Sequence, residues 1–297
     1  KNKKNYFFYK IDLCNYSKTN NLISNIIPDY IINFAAETHV DRSIDNPNSF
    51  IKNNLISTSN LLTSVLKNLN KLKKNNKNFK LIHISTDEVY GSYKTGYANE
   101  HSNFLPNSPY AASKASSDLL CRSFFKTYNL PLIICNSSNN YGGRQYFEKL
   151  IPRSIVSMRL GYGVEVYGDG KQLRQWIHVS DNVNAIKKLL RLGKIGETYN
   201  IGGDDILRNI QLVNMITDIV NNNFLNLVKA NPKISFVKDR PGHDFRYAID
   251  CKKIKKELNW KPKISLKNGL YRTVEYYLKI KLDKKIIESI KRRGKIG

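Results

Sequence analysis

Tyr110-Ala111-Ala112-Ser113-Lys114 is the stretch on which the interpretation of this chain depends. On a helix, a tyrosine and a lysine four positions apart lie on one face, one turn from each other. A nearby ammonium favours the phenolate form, so a tyrosine that ordinarily titrates near pH ~10 becomes a usable base. The stretch therefore predicts a helix that carries an acid–base pair.

A second informative stretch, Ser85-Thr86-Asp87-Glu88, follows the apolar run Leu81-Ile82-His83-Ile84. That run is typical of a buried strand in a parallel sheet. Ligands of open α/β sheets bind just beyond the carboxyl ends of the strands, so the Thr-Asp-Glu triplet is expected where chemistry occurs. Two adjacent carboxyl groups suit acid–base catalysis, because close charges push their pKa values apart and leave one acid and one base. The alternative is a pair of solvated acids at a strand end.

Strands and helices alternate along the first 140 residues, which predicts an α/β fold with a doubly wound parallel sheet. Strands are expected at residues 6–13, 30–36, 80–84 and 132–136. Helices are expected near residues 22–27, 47–69 and 109–128, with a loop over 70–78. We expect an excursion into a smaller second lobe beyond residue 140.

Within that second half, residues 164–170 read as a strand and a turn, residues 174–181 as a return to the main sheet, and residues 183–192 as a helix. We therefore assign residues 1–141 and 171–205 to a Rossmann-like domain. Residues 142–170 and 206–280 form the interleaved lobe, and residues 281–297 form a solvated helical tail.

Composition favours a protein of the cytoplasm. The 297 residues are 41% hydrophobic, and no apolar run approaches the ~20 residues that cross a bilayer. The stretch at the start of the sequence is too short and too aromatic to be a secretory signal. The four cysteines form no C-x-x-C pair, which argues against a zinc site or a disulfide framework and predicts reduced, mostly buried thiols. No metal site is expected.

The net charge of +25 raises the possibility of nucleic-acid binding. The lysines, however, occur with many asparagines and isoleucines, the residues that an AT-rich genome over-produces. Codon bias therefore explains the charge, and no nucleic-acid or membrane partner is predicted. A basic, catalytically inactive Rossmann-like protein that binds nucleic acid is the remote alternative.

The Tyr-x-x-x-Lys pair and the Thr-Asp-Glu strand end together resemble the extended short-chain dehydrogenase/reductases, and most closely the nucleotide-sugar 4,6-dehydratases. The resemblance covers residues 6–280. It implies a homodimeric lyase that uses NAD and a nucleotide-sugar substrate, with dTDP-glucose as the expected one. An enzyme acting on UDP- or CDP-sugars, an epimerase or a decarboxylase of the same fold is the alternative.

The same resemblance implies a role for each catalytic side chain. Tyr110 takes the proton of the sugar 4-hydroxyl while hydride leaves C4 for NAD, and Lys114 keeps Tyr110 ionised. Glu88 removes the C5 proton, Asp87 protonates the departing 6-hydroxyl, and Thr86 binds O4. Hydride then returns to C6.

The resemblance also implies two sets of binding residues, although several of them are equally compatible with loop polarity or ordinary packing. The cofactor-binding set is Asp12, Leu13, Phe34, Ala35, Ala36, Thr38, Asn53, Tyr110, Lys114 and Asn139. The substrate-binding set is Thr38, His39, Thr86, Asn140, Glu148, Lys149, Val166, Tyr167, Arg174, Asn209, Arg240 and His243. Asp41 is weighed beside Thr38 and His39 as a sugar-site residue, with a simple loop polar as its alternative.

Two differences from the family pattern carry expectations. Relative to the resemblance the sequence begins near the third strand, so about 45 residues with the first strand and the Gly-rich turn lie outside it. Without them we expect no measurable NAD binding. Gly143, Phe147 and Gln175 replace the family's usual residues, and we expect them to alter the wall of the substrate lobe.

Overall fold

The computed structural model describes residues 5–229 and 233–291. Its α-helices are α1 Tyr16–Ile26, α2 Val40–Asp45, α3 Pro47–Phe50, α4 Ser57–Lys67, α5 Leu69–Asn75, α6 Pro109–Tyr128, α7 Leu150–Leu160, α8 Val179–Leu192, α9 Asn209–Asn223, α10 Lys252–Leu258, α11 Leu266–Lys279 and α12 Lys284–Lys291. The strands are β1 Tyr30–Asn33, β2 Lys80–Thr86, β3 Leu132–Ser137, β4 Asn139–Tyr141, β5 Val164–Tyr167, β6 Leu173–His178, β7 Thr198–Ile201, β8 Asp205–Arg208 and β9 Ile234–Val237. A π-helical turn covers Ile51–Ile56, and 3-10 turns cover Asp87–Tyr90 and Leu225–Leu227.

The main sheet has the strand order β1-β2-β3-β7, and all of its strand pairs are parallel. Successive side chains of a strand point to opposite faces, and here both faces are covered. Leu81 and Leu132 join the apolar cluster on one face, whereas Ile82 and Ile133 join the cluster on the other. The predicted α/β fold with a parallel sheet is confirmed, and the carboxyl ends of its strands meet at one edge.

The smaller lobe has a core of its own, formed where α7 and α9 pack on β5 and α11 packs on both helices and on β6. A three-stranded sheet of order β4-β6-β8 and a two-stranded sheet of β5 and β9 complete the β structure. The prediction that residues 174–181 return to the main sheet is wrong. β6 pairs with β4 and β8, because the place beside β3 in the main sheet is taken by β7.

The long helix predicted for residues 47–69 is present but interrupted by a π turn. That turn directs Asn54 inward, where its amide donates to the Ser113 hydroxyl at 2.8 Å and to the Glu37 carbonyl at 3.1 Å. Its side-chain oxygen accepts from the Glu37 N–H at 2.7 Å. Such π turns inside helices often occur near functional sites. Here the turn ties the helix to α6, which carries Tyr110 and Lys114.

Two local predictions within the first 80 residues are wrong, a strand at residues 6–13 and a loop at residues 70–78. Residues 6–12 form no strand, and their four aromatic side chains, Tyr6 to Tyr9, are 53–76% exposed. A strand requires a neighbour for its N–H and C=O groups, and none of the described strands pairs with this segment. The polar run 70–78, predicted as a loop, contains α5, because Leu72 is fully buried and anchors it to the core.

The predicted helical tail is only partly solvated. Residues 284–291 form α12, and Ile290 lies in the core of the lobe with 4% exposure. Residues 292–297 of that tail lie outside the described residues. Burying one isoleucine contributes roughly 1.5–3 kcal/mol toward holding this helix against the lobe.

The cysteines are mostly buried thiols, as predicted. Cys121, Cys135 and Cys251 are buried, Cys14 is partly buried, and all four are free thiols. Among the helices of residues 5–229 and 233–291, none is long and apolar enough to span a membrane.

Gly269→Ala tests the contact between α11 and β4. A Cβ at Gly269 would lie 2.2 Å from the Tyr141 hydroxyl, and the Tyr141 ring is held edge-on by Trp176 and His178. Overpacking of this kind costs about 1–3 kcal/mol, which exceeds the ~1 kcal/mol that alanine gains over glycine in a helix. We expect a net loss of stability in chemical denaturation. The exposed Asn268→Ala on the same helix is the control, and equal stabilities of the two variants would contradict the prediction.

Candidate active site

The carboxyl end of β2 turns sharply to present three polar side chains. The Thr86 hydroxyl caps the turn Asp87–Tyr90 by accepting from the Glu88 N–H at 3.3 Å. Gly91 ends the turn with φ +74°, and a Cβ there would lie 2.1 Å from the Leu105 carbonyl oxygen. Only glycine meets both conditions. The backbone thus fixes Asp87 and Glu88 at the edge of the sheet.

Asp87 is a buried carboxyl group that holds its proton at neutral pH. Its side chain is 3% exposed, and burial followed by the charge of Glu88 raises its pKa to about 8. Oδ1 accepts from the Thr86 hydroxyl at 3.2 Å, whereas Oδ2 has no hydrogen-bond partner among the described residues. A protonated carboxyl group with an uncommitted oxygen is suited to act as a general acid.

Glu88 differs from its neighbour because it is only partly buried and lines the open cleft described below. The Tyr247 hydroxyl approaches its Oε2 at 3.4 Å and also donates to Asp244. Tyr247 was not identified from the sequence. It lies 159 positions from Glu88, and no local pattern links the two residues.

Tyr110 and Lys114 lie near the start of α6, as the sequence predicts. Ser108 caps this helix by accepting from the Ala111 N–H at 3.1 Å. Tyr110 is 7% exposed, and burial followed by the charge of Glu88 raises its pKa above the ordinary value. The Lys114 ammonium donates to the Ile84 carbonyl at 2.7 Å, and burial lowers its pKa. That Lys114 keeps Tyr110 ionised remains a prediction.

A cleft opens between the edge of the main sheet and the lobe. Its lining comprises His39, Val40, Asp41, Arg42, Glu88, Asn139, Gln145, Glu148, Lys149, Leu150, Ile151, Arg153, Glu165, Val166, Tyr167, Arg174, Trp176, Asn209, Arg240 and His243. Nine of the twelve predicted substrate-binding residues are in this set. The structure therefore brings most of them together around one cavity that Glu88 also reaches.

Arg240 crosses this cleft to a carboxylate on the other side. Its guanidinium lies 3.5 Å from Asp41 Oδ1, and the Tyr167 hydroxyl donates to Asp41 Oδ2 at 2.9 Å. Arg240 Nε has no hydrogen-bond partner within the described part of the chain. Burial, followed by the charges of Arg240 and Arg174, lowers the pKa of the adjacent His243 to about 4. The cleft therefore has a strongly basic wall.

A second charged contact in the cleft involves the neighbours of Asp41 on and before α2. Arg42 forms an ion pair with Glu148 Oε1, and His39 Nε2 lies 3.5 Å from Glu148 Oε2. The Lys149 ammonium donates to the Thr38 carbonyl at 2.6 Å, and burial lowers its pKa. Arg42 was not predicted, and these contacts place it in the site.

Three other predicted residues, Arg174, Asn209 and Val166, also line the cleft. The buried Arg174 donates to the Asp244 carbonyl at 2.9 Å and stacks on the Tyr247 ring at 4.3 Å. Asn209 begins α9 and leaves its side-chain oxygen without a partner in the described ranges. Val166 is buried in β5. These three residues are placed both to shape the cavity and to contact a ligand.

Three predicted substrate residues, Thr38, Thr86 and Asn140, are not part of the cleft lining. Asn140 is committed to the fold, since it donates to the Ser138 carbonyl at 3.0 Å and accepts from Asn182 at 2.6 Å.

Gly143, Phe147 and Gln175, expected at the wall of the substrate lobe, are not part of this lining, and an effect of theirs on the choice of nucleotide stays a prediction. Gln175 bridges the Gly203 carbonyl and the Ile249 N–H, Phe147 packs on the Tyr277 ring, and Gly143 faces the Tyr276 ring.

Most of the remaining predicted cofactor residues form two groups, and Asn139 lies apart from both. Phe34, Ala35 and Ala36 follow β1 at the same sheet edge as the end of β2. A separate group forms where Asp12 Oδ1 accepts from the Cys14 N–H at 2.9 Å, and Asn53 contacts the Cys14 thiol at 3.7 Å.

Leu13 belongs to this second group, and its carbonyl accepts from Asn60 at 3.0 Å. Asn139 lies apart, on β4 in the cleft, and its side-chain oxygen has no partner among the residues described. Within residues 5–229 and 233–291, no three or more His, Cys, Asp or Glu side chains come together in a way that could hold a metal ion.

Comparisons with known proteins agree with this geometry. The GDP-mannose 4,6 dehydratase family model matches residues 1–273. The dTDP-glucose 4,6-dehydratases of Xanthomonas campestris and Haemophilus influenzae are 44% and 43% identical to this chain. The alignments cover 92% and 93% of this chain and 79% and 84% of the relatives.

Solved structures give the same result. The dTDP-glucose 4,6-dehydratase DesIV of Streptomyces venezuelae, solved as a double mutant with NAD bound, superposes with a TM-score of 0.83 at 37% identity. That match covers 92% of this chain and 79% of the other. The UDP-glucose 4-epimerase of Thermotoga maritima has a TM-score of 0.82 at 27% identity, over 93% of this chain and 85% of its own. The chain belongs to the nucleotide-sugar 4,6-dehydratase family, together with the dTDP-glucose 4,6-dehydratases.

Proposed function

We propose that this chain is a lyase that converts dTDP-glucose to dTDP-4-keto-6-deoxyglucose and water. The observation that carries the proposal is the environment of Asp87 and Glu88. One carboxyl group is buried with its pKa raised to about 8, and the next faces the cleft. Removing a proton from C5 and a hydroxyl from C6 requires one base and one acid side by side, and this pair supplies both.

NAD fits the sheet edge beside that pair. Ala35 and Ala36 leave backbone accessible after β1, and the unpartnered Asn139 oxygen is an acceptor that the fold does not use. Phe34, Ala35 and Ala36 would hold the dinucleotide, with Lys114 at its ribose and Asp12, Leu13 and Asn53 at the adenine end. When bound there, NAD would supply a hydride acceptor for C4 of the sugar and a hydride donor for C6.

The chain's own residues move the protons. Tyr110 accepts the proton of the 4-hydroxyl, and Thr86 hydrogen-bonds the O4 oxygen as it becomes a carbonyl. That carbonyl acidifies C5–H, which Glu88 removes as a base, while protonated Asp87 gives its proton to the departing 6-hydroxyl. The burial that keeps Asp87 neutral is therefore what equips it for this step.

The cleft provides binding groups for the nucleotide. Arg240, whose Nε is unpartnered, and Lys149 supply positive charge for the diphosphate, and the guanidinium fork suits bidentate phosphate contacts. The dTDP-glucose dehydratase relatives favour thymine as the base. A 4-epimerase of this fold is the second candidate, but it requires no acid and base at C5 and C6.

The division of the chain into a Rossmann-like domain and an interleaved lobe, at the boundaries given above, and a cytoplasmic location belong to the same proposal. So does a homodimer formed by α4 and α6 with their counterparts. These helices pack on each other, and they or the adjoining π turn carry the exposed apolar side chains Ile56, Leu119 and Tyr128. Exposed apolar side chains on neighbouring helices suit an isologous interface.

A substrate comparison tests the proposed reaction. The protein, extended by an N-terminal segment of about 45 residues that carries a Gly-rich turn, is supplied with NAD and incubated in parallel with dTDP-, UDP- and CDP-glucose. The 4-keto-6-deoxy product, detected by its absorbance in alkali and by a mass loss of one water, is expected from dTDP-glucose first. If none of the three sugars loses water, the proposal fails. Appearance of a 4-epimer alone would favour the epimerase.

Asp87→Asn separates dehydration from oxidation. We expect product formation to fall by at least about 100-fold, the contribution typical of a general acid, while oxidation at C4 persists as reduced cofactor. In the unaltered protein the dehydration rate should decline as pH rises through about 8, because Asp87 loses its proton. A rate that stays level across this pH range would contradict the assignment.

The same substitution should stabilise the fold. Between pH ~4 and ~8 the native state retains a proton at Asp87 that the unfolded chain releases, so stability falls with rising pH over this window. Replacing Asp87 with neutral asparagine removes up to about 4 kcal/mol of that penalty at pH 7. Denaturation at pH 5 and pH 8 measures it, and a gain that does not grow with pH would show that this account is wrong.

Leu119→Lys tests the dimer. Leu119 is 55% exposed on α6, and a lysine there is harmless in a monomer but places two like charges at a two-fold interface. Light scattering at micromolar concentration should show a dimer for the unaltered protein and a monomer for the variant. Leu105→Lys, at a 64% exposed loop position, is the control that should remain dimeric.

A further inference from the structure

A buried polar cluster surrounds Lys114, and the proposed reaction uses no other member of it. It consists of Asn33, His83, Ser85, Lys114 and Asp118, all of them at most 6% exposed. Buried ionisable groups are costly unless they are paired, so a cluster of three in one place requires a physical reason.

The protonation state of His83 follows from its neighbours. Asn33 uses its side-chain oxygen to accept from the Ala35 N–H, so its amide nitrogen faces His83 Nδ1 at 3.3 Å. That nitrogen is only a donor, so Nδ1 must accept and the neutral ring carries its proton on Nε2. Burial, followed by the charge of Lys114, lowers the pKa of His83 and keeps it neutral.

His83 Nε2 is 3.4 Å from Asp118 Oδ1 and 3.4 Å from the Lys114 ammonium nitrogen. The carboxylate and the ammonium therefore approach the same ring nitrogen. Asp118 Oδ2 accepts from the Ser85 hydroxyl at 2.7 Å. The His83 Nε2–H, 3.4 Å away, is the one donor near Asp118 Oδ1 among the described residues, so this oxygen can also face a positive charge.

We propose that Asp118, held by Ser85 and oriented by His83, is the buried counter-ion that keeps Lys114 protonated. Lys114 is 4% exposed and its one fixed hydrogen bond runs to a carbonyl, so burial alone favours the neutral amine. Asp118 lies one helical turn further along α6 than Lys114, on the face where Tyr110 also lies. His83 and Asp118 are positioning residues, since they act through Lys114.

The titratable groups that face the Lys114 ammonium come from two elements: Asp118 and Cys121 from α6 itself, and His83 from β2. Burial raises the pKa of Cys121 and keeps that thiol neutral. With His83 also neutral, Asp118 is the one negative charge in this set, so its removal should be felt fully at Lys114. Asp118 Oδ1 and the Lys114 nitrogen each lie 3.4 Å from His83 Nε2, and an opposite charge within about 4–6 Å shifts a pKa by about 1–3 units.

This inference rests on the proposed function only for its kinetic consequence. The test compares Asp118→Asn with the unaltered protein by two readouts. The first is NMR of protein labelled at the lysine Cε, in which the Lys114 signal is assigned by its loss in Lys114→Met. In Asp118→Asn that lysine should lose its proton about 1–3 pH units lower.

The second readout is the pH profile of kcat with NAD and dTDP-glucose. Once Lys114 is neutral, the Tyr110 phenolate loses its supporting charge, so the acid limb of the profile should move to higher pH with KM changed by less than about twofold. Asp181→Asn is the matched control. Asp181 is equally buried and accepts from the Lys263 and Ile264 N–H groups, so its loss should reduce stability without moving either titration.

An unchanged Lys114 titration in folded Asp118→Asn overturns the proposal, whether or not the enzyme is active. If the unaltered protein converts no nucleotide sugar, the proposed function fails and the NMR titration alone decides. Should Asp118→Asn not fold, Ser85→Ala removes the hydroxyl that holds the carboxylate. That variant should shift Lys114 in the same direction by a smaller amount, and no shift would equally overturn the proposal.

Discussion

Everything at the sheet edge depends on the removal of ionisable groups from water. The strands β2 and β3 are covered on both faces, so the side chains at their carboxyl ends emerge into a dry environment. There Asp87 holds a proton, Tyr110 resists losing one, and Lys114 is held by a carbonyl. A low effective dielectric makes each neighbouring charge count for more, so small rearrangements decide which group is charged.

The main sheet and the smaller lobe contribute different kinds of residues to the site. The sheet and its helices fix the reacting groups to rigid backbone: a strand end, a capped 3-10 turn and the first turns of α6. The lobe contributes longer side chains, among them Arg240, Lys149 and Tyr167, that reach into the cleft. Strand ends position an atom more accurately than long side chains do, whereas long side chains adapt to a ligand's shape.

The sequence predicted features that depend on neighbouring residues, and it missed contacts between residues that are far apart in the chain. The bounds of α6 were correct because a serine–proline start and an apolar period lie within one stretch, and the parallel sheet followed from alternation alone. The contact of Tyr247 with Glu88 joins residues 159 apart, which no local pattern encodes. The run that contains His83 predicts an apolar strand, although the His83 ring is a buried polar group. The strand expected at residues 6–13 has the right composition, but pairing rather than composition makes a strand.

The ion pair between Arg240 and Asp41 makes anion binding in the cleft an exchange. A guanidinium that already lies 3.5 Å from a carboxylate weakens that contact as it binds another anion, whereas Tyr167 can keep Asp41 as its acceptor. The free energy gained is a difference between two similar contacts, which lowers affinity but also lowers the cost of release. Fewer solution counterions are displaced in such an exchange, so binding should depend less steeply on ionic strength than the net charge of +25 suggests.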